Sequence, residues 1–304
     1  MITGRIVGGL GNQLFQLFAL LAYSIENKVK AIFIYEKIVT GRQTYWDSFF
    51  KNLIIFTSKF APNNMTNEQI FGFPQFKEPG FEYTPFPNFE KDEKYSTSVF
   101  IQGYYQSYKY FEKVQDQLFS LLKLETHKTN IKNEYASYLF NADIDLVSMH
   151  FRLGDYKQKR YYHPILNYEY YEKALIHILE NREHKNRKIE VLYFCESEDN
   201  DFVFQNRIVP LKAIFPTIEF IKVDDQIDDW KQMIIMSCCN NHVIANSTFS
   251  WWGAYLCSIQ NKIICYPSKW FGEYYEHNYK CDDLMPDSWI NIEATSRPWD
   301  QPLI

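Results

Sequence analysis

The chain has 304 residues, of which 46 % are hydrophobic and 23 % charged, with a formal net charge of −5. That length accommodates two ordinary domains or one large one, and the hydrophobic fraction supports a core. The acidic balance argues against a nucleic-acid partner, because such binders carry a basic face. Aromatic residues reach 18 %. An aromatic-rich core explains them more simply than a sugar-binding surface, although both use such rings. The six cysteines (Cys195, Cys238, Cys239, Cys257, Cys265, Cys281) form no CxxC pair. They read as buried, reduced thiols rather than zinc ligands, and no metal site is expected. The apolar stretch Leu14–Ile25 is interrupted by Gln16 and lacks the flanks of a signal peptide. It is also shorter than the roughly 20 residues of a membrane span. A cytoplasmic chain without a transmembrane segment is expected, with peripheral association at the inner membrane face as the variant.

In chain order, Ile2–Val7 reads as a strand, Asn12–Glu26 as a helix and Val29–Tyr35 as a strand. Phe60–Glu90 is rich in Pro, Phe and Asn and reads as loop. Ser98–Gln106 follows as a strand and Tyr110–Leu124 as an amphipathic helix. The second half alternates regularly. Strands are expected at Ile144–Arg152, Ile189–Cys195, Ile218–Val223, His242–Ala245 and Lys262–Tyr266. Helices are expected at Tyr168–Glu180, Asp201–Val209, Asp228–Cys239 and Thr248–Ile259. Such alternation predicts parallel sheets covered by helices. The expectation is two α/β lobes facing a cleft, residues 1–140 and 141–304, with a boundary near Asn141. The tail after Tyr266 is a candidate to pack back on the first lobe.

Three strand-to-helix turns carry residues suited to anion chemistry. The first is GGLGNQLFQ, Gly8–Gln16. Its glycines allow close backbone approach and its helix start favours an anion. Asn12 and Gln13 add amides for sugar or phosphate oxygens. A plain tight turn is the simpler alternative, because the third glycine of a dinucleotide fingerprint is absent. The second is HFRLGDY, His150–Tyr156, at a strand's carboxyl end, where ligands bind in open α/β sheets. Arg152 offers a rigid donor fork for two phosphate oxygens, and Asp155 either orients it or accepts a proton. A structural Arg–Asp pair is the alternative. The third is NSTFSWWGAYL, Asn246–Leu256. Asn246, Ser247 and Thr248 lie at the helix cap, followed by Phe249 and Ser250 in the first turn. Cap donors and dipole suit a pyrophosphate, with ordinary N-capping as the alternative. Trp251 and Trp252 read as packing residues.

These three segments, with WDSFF (Trp46–Phe50), QGYYQSYKYF (Gln102–Phe111) and YYHP (Tyr161–Pro164), resemble the alpha-1,2-fucosyltransferases of glycosyltransferase family 11, bacterial type. The resemblance spans most of the chain in the right order. It implies a GT-B-like α/β fold of two Rossmann-like lobes. Residues 1–140 would form the acceptor side and 141–304 the donor-binding lobe. It implies GDP-beta-L-fucose as donor, no further cofactor, inversion at the anomeric carbon, and transfer to the 2-OH of a terminal galactose in an oligosaccharide or glycan. It places Arg152 on the donor phosphates. Gly9, Gly11 and Asn12 are placed at the reaction centre, and Asn246, Ser247 and Thr248 near the pyrophosphate. Glu196 and Ser197 correspond to a segment held to lie near the nucleotide. They depart from the family pattern, since the chain reads CESEDND at Cys195–Asp201.

Departure of a diphosphate needs its charge stabilised by a metal or by a cation with oriented N–H groups. Arg152 and the Asn246–Thr248 cap supply the second solution. Asp155 and His150 are the candidate proton acceptors by motif, His150 being equally readable as a structural core residue. One rival is a metal-dependent transferase with a DxD pair, at Asp143-Ile-Asp145 or Asp199-Asn-Asp201. The other is a non-catalytic sugar-binding module.

Overall fold

The computed structural model describes residues 1–61, 65–95, 97–139, 143–276 and 279–296. The chain divides into two compact units, Met1–Thr126 with Tyr279–Pro286, and His127–Asn278 with Asp287–Ile304. The boundary expected near Asn141 lies outside the described residues, and the division falls after Thr126. Side chains explain that position. In the second unit His127 lies 5.5 Å from the Trp230 ring, Lys128 Nζ donates to Ser258 Oγ at 3.0 Å, and Glu134 meets Lys231 at 2.7 Å. Of the tail after Tyr266, Tyr279–Pro286 groups with the first unit. There Ser107 Oγ donates to the Asp283 carbonyl at 2.5 Å and Lys109 pairs with the Asp283 carboxylate.

The first unit runs β1 (Ile2–Gly4), α1 (Leu10–Asn27), β2 (Ala31–Phe33), a small hairpin of β3 (Ile38–Val39) and β4 (Arg42–Gln43), α2 (Asn67–Phe71), β5 (Gln75–Lys77), β6 (Val99–Gln102) and α3 (Gln115–Leu122). Its main sheet has the order β2-β1-β6-β5, all parallel. Apolar residues surround α1 on most sides, and Leu14, Phe15, Leu17 and Phe18 are fully buried. Lys28 ends the helix in the left-handed conformation, at φ 56°.

Two expectations differ. Phe60–Glu90 contains α2, started by a capping box between Thr66 and Gln69, and the edge strand β5. A three-residue edge strand with polar ends gives no readable alternation. The helix expected from Tyr110 starts only at Gln115, because single 3-10 turns at Tyr108–Tyr110 and Glu112–Val114 precede it.

The second unit takes in most of α4 (Leu124–Glu134), then α5 (Ala136–Leu139), β7 (Ile144–His150), α6 (Tyr168–Asn181), β8 (Lys188–Phe194), α7 (Asn200–Val203), α8 (Val209–Ile214), β9 (Glu219–Lys222), α9 (Asp229–Ser237), β10 (Asn241–Val243), α10 (Thr248–Tyr255), β11 (Ile264–Pro267), α11 (Glu273–Glu276) and β12 (Ile290–Ile292). Six strands lie in the order β12-β11-β10-β7-β8-β9, all parallel. The interior strands are buried on both faces, as helix-covered parallel sheets require. Between α7 and α8 the helix widens into a π turn at Phe204–Ile208, just before Pro210. Proline removes a backbone donor and crowds the preceding turn, which the wider turn accommodates. Trp251 and Trp252 are fully buried, as packing residues. All six cysteines are free thiols. Among the described residues no helix is long and apolar enough to cross a membrane.

Glu78 follows β5 and accepts the N–H groups of Tyr104 and Tyr105 at 2.7 and 2.9 Å, fixing the turn after β6. Burial pushes its pKa up to about 7 from 4.5, with the two N–H bonds pulling the other way. A folded-state pKa above the unfolded one favours folding at low pH, and that contribution is lost as pH rises through the folded value. Resistance to urea is therefore expected to fall between pH of about 4.5 and about 7. The fall should be smaller in Glu78→Gln, and an unchanged pH profile in that variant would contradict the assignment.

Candidate functional site

The order of the six-stranded sheet fixes where a ligand can sit. From β7 the chain proceeds through β8 and β9 to one edge, then returns to β10 on the other side of β7. Connections leaving β7 and β10 therefore diverge, and a crevice opens at their carboxyl ends. His150–Tyr156 leaves β7 and Asn246–Leu256 follows β10, so the second and third motifs flank one crevice. Tyr156 links them directly. Its hydroxyl donates to the Asn246 carbonyl at 3.2 Å, and the Arg152 guanidinium carbon lies 4.7 Å from its ring centre. The His163 ring also stacks with Tyr156, at 4.4 Å and 14°.

Arg152 holds two carboxylates. One terminal nitrogen donates to Glu196 and the other to Asp155. Asp155 also receives Lys159 Nζ at 2.9 Å. Burial works against the Arg152 charge, and Tyr156, Glu196 and Asp155 more than offset it. The loop carrying this group is shaped by Gly154, at φ +41°, where an added Cβ would lie 2.5 Å from a Glu196 carboxylate oxygen. The Gly154 N–H donates to Asp199 Oδ2 at 2.7 Å, and the fully buried Asp199 pairs with Lys157.

The turn after β10 is held by its own polar groups. Ser247 caps α10, accepting the Phe249 N–H at 3.3 Å. Ser250 Oγ accepts from Ala245 N at 3.2 Å and donates to the Ser247 carbonyl at 3.3 Å. The Asn246 amide is buried and donates to the carbonyls of Pro164 and Trp270 at 3.0 and 3.2 Å. Both hydroxyls and this amide thus build the turn, and Thr248 and Phe249 stand half-buried beside it. His150 is buried against Phe249, with ring centres 5.5 Å apart. Burial and then the Arg152 charge push its pKa down to about 3, so its imidazole is neutral near pH 7.

Glu196 and Ser197 are exposed on the loop after β8. The acidic pairs fall elsewhere. Asp145 is buried at the start of β7, paired with Arg182 and Arg187 at 3.1 and 3.4 Å. In the second pair, Asp199 is engaged as above and Asp201 is exposed. Among the described residues no group of three or more His, Cys, Asp or Glu is placed to hold a metal ion.

The first motif belongs to the first unit. Gly8 adopts φ +84° and Gly9 caps α1 in extended conformation without a side-chain cap. Gln13 Nε2 donates to the carbonyls of Gly8 and Gln43 at 2.9 and 2.8 Å. Gln16 staples the turn from the helix side, donating to Val7 and Asn12 carbonyls, both at 2.8 Å. Gly11 is buried in the first helical turn. This sheet also has a switch point, since β2 and β6 flank β1. Gln106, after β6, donates to Asn12 Oδ1 at 3.0 Å across it.

Sequence reasoning missed Tyr156, His163, Asp199 and Gln106 as builders of these two places. All four lie inside segments already singled out, but for other reasons. Nothing in the sequence marks His163 as the stacking partner or Asp199 as an internal anchor, because both roles depend on loops meeting in space.

The model of the family described as glycosyl transferase family 11 matches residues 1–293. An O-antigen biosynthesis glycosyltransferase WbnK of Escherichia coli is 26 % identical over 94 % of this chain and 98 % of that protein. An alpha-1,2-colitosyltransferase of Escherichia coli is 26 % identical over 96 % of this chain and 99 % of that protein. Among solved structures, a variant of Arabidopsis thaliana FUT1 in complex with GDP superposes with a TM-score of 0.51 at 12 % identity. It covers 86 % of this chain and 70 % of that one. The fold is GT-B-like, an α/β chain with two main parallel sheets.

Asn246→Asp keeps the shape of the side chain but removes both donors. It leaves two buried carbonyls unpaired, at about 1–3 kcal/mol each. A loss of about 2–6 kcal/mol in urea unfolding is expected; a loss within error would show that the Asn246 amide does not support the turn.

Proposed function

The chain belongs to glycosyl transferase family 11, and on that premise we propose that it is a galactoside 2-alpha-L-fucosyltransferase. It takes L-fucose from GDP-beta-L-fucose and places it, with inversion, on the 2-OH of a terminal galactose in an oligosaccharide or glycan. The observation that carries this reading is the Tyr156 link, which brings the Arg152 fork and the cap of α10 to one crevice at the sheet's switch point. That is where a diphosphate finds a bidentate cation and helix-start N–H groups together. The relative named alpha-1,2-colitosyltransferase supports the linkage and makes colitose, another deoxy sugar, the second donor reading.

In the proposed reaction the galactose 2-OH oxygen attacks the anomeric carbon from the face opposite the diphosphate and releases its proton to water as the new C–O bond forms. The C–O bond to the diphosphate breaks through an oxocarbenium-like transition state. Negative charge grows on the leaving oxygens, and Arg152 with the first-turn N–H groups of α10 stabilises it. His150 is a weak proton acceptor, with a pKa pushed down to about 3. Asp155 is held between Arg152 and Lys159. The reading therefore assigns most of the rate enhancement to leaving-group stabilisation rather than to a strong base. No metal is required. A cation at Asp199-Asn-Asp201 would have to displace both the Gly154 N–H and Lys157 from Asp199.

Transfer from GDP-fucose and GDP-colitose to lactose and N-acetyllactosamine, with linkage determined by NMR, tests donor, acceptor and linkage. Activity is expected to survive EDTA. Arg152→Ala should lower kcat/KM by about 10²–10³. Its urea midpoint should move little, since partly exposed ion pairs contribute about 0–1 kcal/mol. Near-normal turnover in Arg152→Ala, or activity that EDTA abolishes and Mn²⁺ restores, would overturn the reading.

A further inference from the structure

Strand register places Glu196 beside Arg152. In the parallel pairing of β7 with β8, His150 sits opposite Phe194, and the Phe151 N–H donates to the Phe194 carbonyl at 2.9 Å. Arg152 and Glu196 each follow that pair by two residues. The two chains leave the sheet in step, and the side chains meet. Gly154 leaves the space for the Glu196 carboxylate, which any Cβ there would invade.

The two carboxylates on Arg152 are not equivalent. Asp155 shares its short loop and is held from the other side by Lys159 at 2.9 Å. Glu196 stands on a different loop with its side chain 46 % exposed, and Arg152, at 19 %, is its cation partner. A half-exposed ion pair contributes little net stability, so the Glu196 carboxylate can move into water at small cost. A diphosphate oxygen needs the same N–H donors that Glu196 occupies. A carboxylate remaining there would repel the incoming charge.

We propose that Glu196 is a displaceable counter-ion: its carboxylate and the donor's diphosphate compete for one arm of the Arg152 guanidinium. The exchange sets how tightly the nucleotide is held and how readily GDP leaves. The inference rests on the reading of Arg152 as the diphosphate site. It gives Glu196 a positioning role through Arg152, in place of the direct nucleotide contact expected from the sequence. Opposing the bound state in this way favours product departure, a step that limits many enzymes.

Titration calorimetry of the full chain with GDP tests it, using wild type, Glu196→Gln, Glu196→Ala and Arg152→Ala at about 50 mM and about 500 mM NaCl. Thermal melting confirms that each variant is folded. Both Glu196 variants are expected to bind GDP about tenfold more tightly, a difference of about 1.4 kcal/mol. The gap should narrow at high salt as the repulsion is screened. In steady state, KM for the GDP-sugar and kcat should fall together. Unchanged or weaker GDP binding in folded Glu196→Gln, with binding lost in Arg152→Ala, would sink the exchange while leaving the diphosphate site intact. Full-strength binding in Arg152→Ala would remove that site, and the proposal with it.

Discussion

The parallel pairing of β7 with β10 is the constraint from which the candidate site follows. Asn241 lies opposite Val147 and Val243 opposite Met149, so the two strands end nearly level. The chain leaves them toward opposite edges of the sheet. No connection therefore crosses the space between their carboxyl ends, and the residues just beyond each strand face a common crevice. Arg152 lies just beyond the first strand, and Asn246, its side chain buried in the turn, just beyond the second. The same geometry turns the start of α10 toward that crevice, adding the partial positive charge of its first N–H groups.

Within this frame the arginine is over-determined. Tyr156 stands below the guanidinium and is held by His163 stacking and by the Asn246 carbonyl. The loop that carries them is anchored from beneath by Asp199 through the Gly154 N–H. Arg152 thus has a fixed position, although the carboxylates that balance its charge stand partly in solvent. Rigid placement of a cation at a developing anion is what makes it effective in leaving-group chemistry.

The first unit solves a similar topological problem with neutral groups. Its switch point lies between β1 and β6, and the turn there is held by the amides of Gln13, Gln16 and Gln106. Amides both donate and accept, so they satisfy the backbone of a tight glycine turn without importing charge. The second unit instead places a charged fork, Arg152, between the carboxylates of Glu196 and Asp155.

The sequence by itself determined the alternation of strands and helices in the second half, the three strand-to-helix turns, and the family. These are local matters of periodicity, turn chemistry and short motifs, each readable within a few residues. It missed the edge strand β5 and the late start of α3. In those places short-range hydrogen bonds and sheet edges override a weak pattern. Only the tertiary structure decided which side chains meet. The hydroxyls of Ser247 and Ser250 and the amide of Asn246 build their own turn, and Asp199 anchors Gly154 from 45 residues away. Glu196 reaches Arg152 because two strands run in register. Register and strand order depend on how whole elements pack, and no single segment of the chain carries that information.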